Sequence, residues 1–367
     1  MRKKIAYVST EWFVDTDITV VHELAKVFDV KWVYCTNVKN PRFPINKIND
    51  YVQRNNIALR VVDGKGLKYL DSRQICVAWQ IVRAIREFKP DLIYQVGCPN
   101  IYRIPLEMLF LRRGKVLRGI HDVQTHSGVR GAALYKLTYM WMFWWTKKFV
   151  VFSKTQFDLF KSMYEKKDVA LVGMSVKDFG DPKCSRPPIK NGVNLLFFGR
   201  IDSYKGLDMF IRQFEKNIEQ GMNRVTLSIC GKGPHWYECE KLIKHTEYYR
   251  LNIRFIEDEE VPELMMSHHF LVLPYRDATQ SGPIMIAANY GLPIIATDFQ
   301  CFKNVYGEEA GYFGSYEEMG QILSAVANLE QSEYEKMLRN VDVIAEKFSM
   351  KLIAQNYERL FCSLMGI

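Results

Sequence analysis

The sequence predicts an α/β chain of two doubly wound, Rossmann-like domains facing a cleft. Three observations predict it. At 367 residues the chain is long for one compact domain and comfortable for two. Short apolar runs alternate with helical patterns of about 10–15 residues, which argues for parallel sheets covered on both faces. The alternation also stops and restarts. Residues 178–192, rich in Pro, Gly, Asp and Asn, read as the linker between two such series.

In the first series, a strand is expected at 5–8, a helix near 18–27 with Asp17 as its N-cap, and a strand at 30–35. A helix over 72–88 ends before Pro90, and a strand follows at 91–96. Further strands are expected at 116–119 and 149–152. In the second series, strands are expected at 194–198, 225–230, 252–255, 270–273 and 293–297. Helices fit at 207–219, 236–245, 284–290 and 316–329, and the tail 331–365 reads as helical throughout. Ligands of such sheets bind at the carboxyl ends of the strands.

Charge is uneven. Residues 1–170 carry 29 Lys/Arg against 15 Asp/Glu, while the remainder carries 21 against 26. A basic first half attracts polyanions: nucleic acid, anionic lipid or a phosphorylated substrate. The eight cysteines (35, 76, 98, 184, 230, 239, 301 and 362) form no CxxC pair, so neither a zinc site nor a disulfide framework is expected. A cytoplasmic, reducing compartment suits them. The basic N-terminus leads into an apolar run too short for a signal peptide, and no stretch reaches the ~20 apolar residues that span a bilayer.

The strongest chemical segment runs from Leu195 to Asp208. A strand enters a loop holding Gly199, Arg200, Lys205 and Gly206, and a helix follows. A leaving diphosphate gains negative charge, which Arg200 can grip in a bidentate manner and Lys205 can meet as a point charge. The bland alternative is a surface turn with two solvated cations. A second strand ends in Gly231-Lys232-Gly233, where paired glycines let backbone approach a ligand or merely make a tight turn. A third leads through Gln280-Ser281-Gly282 into a helix. Backbone N–H groups there favour an anion, unless Ser281 is an ordinary N-cap.

Taken in order, these pieces resemble the retaining glycosyltransferases of the GT-B fold, specifically the family 4 group. The resemblance covers most of the chain and is strongest from about 194 to 362. It includes Arg254-Phe255-Ile256 before an acidic run, Pro274-Tyr275, Gly291 to Asp298, and Phe348-Ser349 before the terminal helix. It implies an acceptor-side domain over 1–178, a donor domain over 193–345, and a helix over 346–367 that crosses back to the first. It implies that Arg200 and Lys205 hold the donor diphosphate, that Gln280, Ser281 and Gly282 reach sugar and phosphates, and that backbone around Ile256 meets the base. Two glutamates usual in the family are replaced by Ala278 and Ile286, as in a subset with a Gln-Ser-Gly loop. Asp277 is the candidate replacement carboxylate. His121, with His126 second, matches the family's histidine by the transferred sugar, and both are also ordinary strand-end residues. The family's glycine pair after the first strand is missing.

The expected partners are a nucleotide-sugar donor and a saccharide or lipid-linked acceptor, with no cofactor, metal or nucleic acid. An anionic membrane surface is a further expected partner, which would make the chain peripheral on the inner face of the cell membrane. Residues 131–148 read either as a buried core helix or as an interfacial segment. In the second case Trp141, Trp144 and Trp145 work with Arg112, Arg113, Lys115 and Arg118. Rival classes are a nucleotide-sugar 2-epimerase of the same fold and a non-catalytic binding protein. No RNP, helix-turn-helix or zinc signature supports a nucleic-acid binder, and no G-x-G-x-x-G follows the first strand.

Overall fold

The computed structural model describes residues 2–36, 45–55, 57–64, 66–68, 70–97, 100–123 and 132–367. The chain forms two compact units, Met1–Ser175 with Met350–Ile367, and Val176–Ser349.

Among its described residues the first unit holds seven parallel strands: β1 (Lys4–Thr10), β2 (Asp29–Thr36), β3 (Ala58–Asp63), β4 (Leu92–Val96), β5 (Val116–Ile120), β6 (Lys148–Val151) and β7 (Asp168–Leu171). Their order is β3-β2-β1-β4-β5-β6-β7, so the winding reverses between β1 and β4. Strands β4 and β5 are buried along their whole length, which is why they read as near-continuous apolar runs. The first helix, Val14–Val27, begins earlier than expected. Asp17 does not cap it: Asp17 lies inside the helix, buried, and accepts a 2.6 Å hydrogen bond from the Tyr7 hydroxyl. The closing helix Met350–Met365 belongs to this unit. It packs on Val14–Val27 and sets Tyr357 edge-on to Tyr94 with centroids 5.5 Å apart.

The second unit holds six parallel strands: β8 (Val193–Phe198), β9 (Val225–Cys230), β10 (Tyr249–Asn252), β11 (Phe270–Leu273), β12 (Ile294–Thr297) and β13 (Gly311–Gly314). Their order, β10-β9-β8-β11-β12-β13, reverses between β8 and β11. Leu195, Phe197, Leu227, Ile229, Phe270 and Ile295 meet Phe210 and Phe214 of the helix Leu207–Glu219 in one core. Strand β10 sits three residues before its expected place. Tyr249 decides the register: it is buried against Phe214 and donates a 2.8 Å hydrogen bond to Glu215, while Phe255 stays exposed.

Residues 178–192 are not a free linker but part of this unit. The Arg186 guanidinium donates to the carbonyls of Met265, His268, Tyr290 and Gly291. The tail is two helices, Gln331–Lys347 and Met350–Met365, broken at Phe348 and Ser349. The Phe348 carbonyl there accepts from the Val176 amide instead of continuing a helix. Among the described residues, no helix is long and apolar enough to cross a membrane.

Candidate functional site

The winding reversal of the second sheet lies at the carboxyl ends of β8 and β11, and the candidate residues of this unit gather there. After β8 the chain turns at Gly199, whose φ of +117° suits glycine. A Cβ at Gly199 would lie 3.2 Å from the Lys205 ammonium and 3.8 Å from Pro283. Lys205 is only 6% exposed. Its nitrogen lies 5.2 Å from the centre of the Tyr275 ring, and among the described residues no carboxylate pairs with it. The Tyr275 hydroxyl lies 3.3 Å from the Ser281 hydroxyl. Gly199 and Tyr275 thus flank the buried Lys205 ammonium, with Pro283 next to Gly199 and Ser281 next to the Tyr275 hydroxyl.

Ser281 stands at the N-cap of the helix Gly282–Asn289 but makes no capping hydrogen bond with its side chain. The ordinary-cap alternative therefore fails, and the first-turn amides keep their capacity for an acceptor. Lys177 was missed by sequence reasoning. Its ammonium reaches within 3.9 Å of where a Gly282 Cβ would stand, and its amide donates to the Met285 carbonyl. Two ammonium groups thus approach the start of one helix. Nothing in the sequence around Lys177 marks it, because it precedes a stretch that looks like linker.

Arg200 behaves differently from Lys205. Its side chain is 72% exposed and pairs with Asp202 at 2.9 Å. Asp202, two residues on, offers the nearest carboxylate, so the guanidinium is engaged there rather than beside Lys205. The two cations still share a neighbour: both pull the Tyr204 hydroxyl pKa down against burial, which pushes it up and prevails.

Gly231 and Gly233 serve packing between loops. A Cβ on Gly231 would lie 2.8 Å from the Gly199 carbonyl carbon, and one on Gly233 2.5 Å from that of Ile201. The missing side chains let the loop after β9 press on the loop after β8. Backbone bonds from Gly199 to Cys230 (2.9 Å) and Ile201 to Lys232 (3.0 Å) hold them together. In the direction a side chain would take, both positions face protein backbone.

A polar clamp fixes the Lys205 loop from behind. Asp208 accepts 2.9 and 2.6 Å hydrogen bonds from Arg276 and lies 3.2 Å from His235. The Arg276 amide donates to the Tyr204 carbonyl, joining the loops after β8 and β11. Burial pulls the Asp208 carboxyl pKa up, but Arg276 and His235 outweigh it and leave it below its ordinary value.

Asp277 is exposed and Gln280 half-buried on the loop before Ser281. Ile256 is buried after β10, beside Phe255, over which the Lys232 ammonium sits at 5.7 Å. Ile286, where a glutamate was looked for, is a buried core residue of its helix.

In the first unit, His121 follows β5 and is held between two phenyl rings. It stacks on Phe13 and tilts on Phe152, each with centroids 4.3 Å away. Gly97, after β4, has a φ of +93°, and its missing side chain leaves room for Thr10 and Phe13. His126 lies outside the described residues.

Residues 192–332 match the family model described as glycosyl transferases group 1. No curated protein matches the chain. Solved structures resemble it over nearly the full length of both chains. Sucrose-phosphate synthase from Thermosynechococcus elongatus aligns with a TM-score of 0.72 at 14% identity, covering 100% of each chain. The pneumococcal O-GlcNAc transferase in complex with UDP and GlcNAc aligns at 0.71 and 9%, covering 99% of each. The UDP-GlcNAc 2-epimerase from Neisseria meningitidis bound to UDP-GlcNAc aligns at 0.61 and 12%, covering 98% of this chain and 100% of that one. Identities this low speak for fold alone. The chain has the GT-B fold of two Rossmann-like units, and its second unit carries the sequence pattern of the glycosyl transferases group 1.

Proposed function

We propose that the protein is a glycosyltransferase. It would pass a sugar, with retention, from a nucleotide diphosphate donor to a saccharide or lipid-linked acceptor, in the synthesis of a cell-surface polysaccharide or lipopolysaccharide. One observation carries the reading: a buried lysine at the sheet reversal, with no carboxylate partner among the described residues, beside a helix start that lacks a side-chain cap. A dianionic leaving group is the chemistry that such a cation favours. The family match over 192–332 supports the same reading, as do the UDP and UDP-sugar bound to two of the fold relatives.

In this scheme the bond between the sugar's anomeric carbon and the donor phosphate breaks. Lys205 and Lys177 meet the charge that develops on the diphosphate. Arg200 joins them by exchanging Asp202 for a phosphate oxygen. The acceptor hydroxyl attacks the anomeric carbon from the face the diphosphate leaves, and its proton passes to a leaving phosphate oxygen. Positioning and charge neutralisation do most of the work, and the scheme calls on no metal ion or resident cofactor. Gln280 and Asp277 are the proposed sugar contacts in place of glutamates at 278 and 286. Backbone near Ile256 is the proposed base contact, and His121 the proposed contribution of the first unit.

A second reading, epimerisation of the nucleotide sugar, is favoured by the likeness to the 2-epimerase. A panel of nucleotide sugars, assayed for release of nucleoside diphosphate, separates the two. The transferase reading expects slow release without acceptor and faster release with one. It also expects turnover to fall by about tenfold or more in Arg200→Ala. An epimeric nucleotide sugar formed without diphosphate release supports the second reading. Undiminished turnover in Arg200→Ala removes Arg200 from the scheme.

A further inference from the structure

The helix Ala132–Trp145 resolves the two alternatives of the sequence unevenly. Met142, Phe143 and Trp145 are core residues of the first unit. One edge is not: Trp144 is 66% exposed, and Met140, one turn before it, is exposed as well. The neighbouring helix Arg103–Phe110 adds exposed Leu109 and Phe110, with Trp79 edge-on to Phe110 at 5.0 Å.

These apolar tips share an edge of the fold with cations. Arg112, Arg113 and Lys115 precede β5, Lys147 precedes β6, and Lys166 and Lys167 precede β7. All therefore lie at the amino edge of the parallel sheet, opposite the strand ends that serve a Rossmann ligand. Arg113 donates to the carbonyls of Trp144 and Trp145, and Lys167 donates to that of Thr146 at 2.8 Å. The closing carbonyls of one helix thus gather both cations around Trp144. Among the described residues, no carboxylate pairs with Arg113, Lys147 or Lys167. Crowding is felt: burial first, then Arg113 and Lys147, push the Lys167 pKa down. Arg118, expected in this group, is not in it. It is fully buried in β5 and paired with Glu107 at 2.6 Å.

We propose that the amino edge of the first sheet, centred on Trp144, Arg113, Lys147 and Lys167, docks on an anionic bilayer surface. The unneutralised cations match acidic headgroups, and each contributes to binding while it stays within a Debye length of the surface. The exposed Trp, Met and Leu tips decide between a bilayer and other polyanions. A headgroup layer takes an indole and aliphatic chains out of water, which a nucleic-acid backbone does not. This inference goes beyond the transfer reading and does not depend on it.

The test is flotation of the full chain with vesicles of phosphatidylcholine, alone or with about one quarter phosphatidylglycerol. Retention is expected on the anionic vesicles at low salt and is lost at high salt. Trp144→Ser lowers vesicle affinity about tenfold through lost apolar burial. Lys147→Glu lowers it about tenfold or more through charge reversal. Both residues are exposed, so both variants keep the parent melting temperature and the parent affinity for UDP. The proposal is overturned if anionic vesicles do not retain the chain, or if both variants float like the parent. Binding to a single-stranded oligonucleotide without vesicle retention also overturns it.

Discussion

Gly231→Ala tests whether the loops after β8 and β9 are held together by the absence of a side chain. The added methyl would stand 2.8 Å from the Gly199 carbonyl carbon, where ordinary contacts begin near 3.4 Å. The crowding atoms are all backbone of Gly199, so no flexible side-chain tip can yield. Two hydrogen bonds would stretch or break, Gly199 to Cys230 at 2.9 Å and Gly231 to Asn252 at 3.0 Å, at ~1 kcal/mol each. Left-handed strain at the Gly231 φ of +147° adds ~1–3 kcal/mol. Gly221→Ala is the matched control. Its φ of +98° carries similar strain, but nothing lies within 4 Å of the new methyl. The expected difference is therefore ~2 kcal/mol or more, a gap of about 4–8 °C in melting temperature for a unit of this size. Because Gly199 borders Lys205, Gly231→Ala also weakens nucleotide binding, and Gly221→Ala does not. Equal melting temperatures in thermal denaturation would refute the loop-packing argument.

Three further outcomes follow from the same geometry. His268 lies 2.7 Å from both the Leu264 carbonyl and the Ser228 hydroxyl, and burial pushes its pKa down to about 4. The unfolded chain protonates this histidine near pH 6.5 and the folded chain does not. Stability of the second unit therefore holds above that pH and falls between about 6.5 and about 4, by at most ~3 kcal/mol. Denaturant melts across this range check it, and His268→Gln flattens the slope. Asp208→Asn loosens the clamp on the Lys205 loop and costs ~1–2 kcal/mol in a denaturant melt, since Arg276 and His235 lose a charged partner. Lys177→Ala weakens UDP binding about threefold to tenfold, read by calorimetry.

The sheets were legible in the sequence because buried parallel strands write themselves as short apolar runs. Residues 225–230 and 270–273 were expected as strands and are β9 and β11. Half-buried edges were not legible: β3, β7 and β13 carry polar, small or exposed residues and were missed. Asp17 looked like a cap because it precedes an apolar run, yet a tertiary partner, Tyr7, makes it an interior residue. Of the candidate site, Gly199 and Lys205 were visible because a Gly-flanked cationic loop after a strand is a local pattern. Tyr275 was quoted only as motif, and Lys177 comes to the helix start through the fold, with no local sign. Gly231 and Gly233 show the reverse. Their pattern was local, but its meaning depended on which backbone stood opposite.

The account rests on Lys205 as the cation that receives the donor diphosphate, and calorimetric titration of UDP into the parent and Lys205→Met tests this most directly. Methionine fills the same buried space without charge. The parent is predicted to bind, and Lys205→Met to bind about tenfold to a hundredfold more weakly with an unchanged circular dichroism spectrum. Equal affinity in the two proteins would contradict the claim.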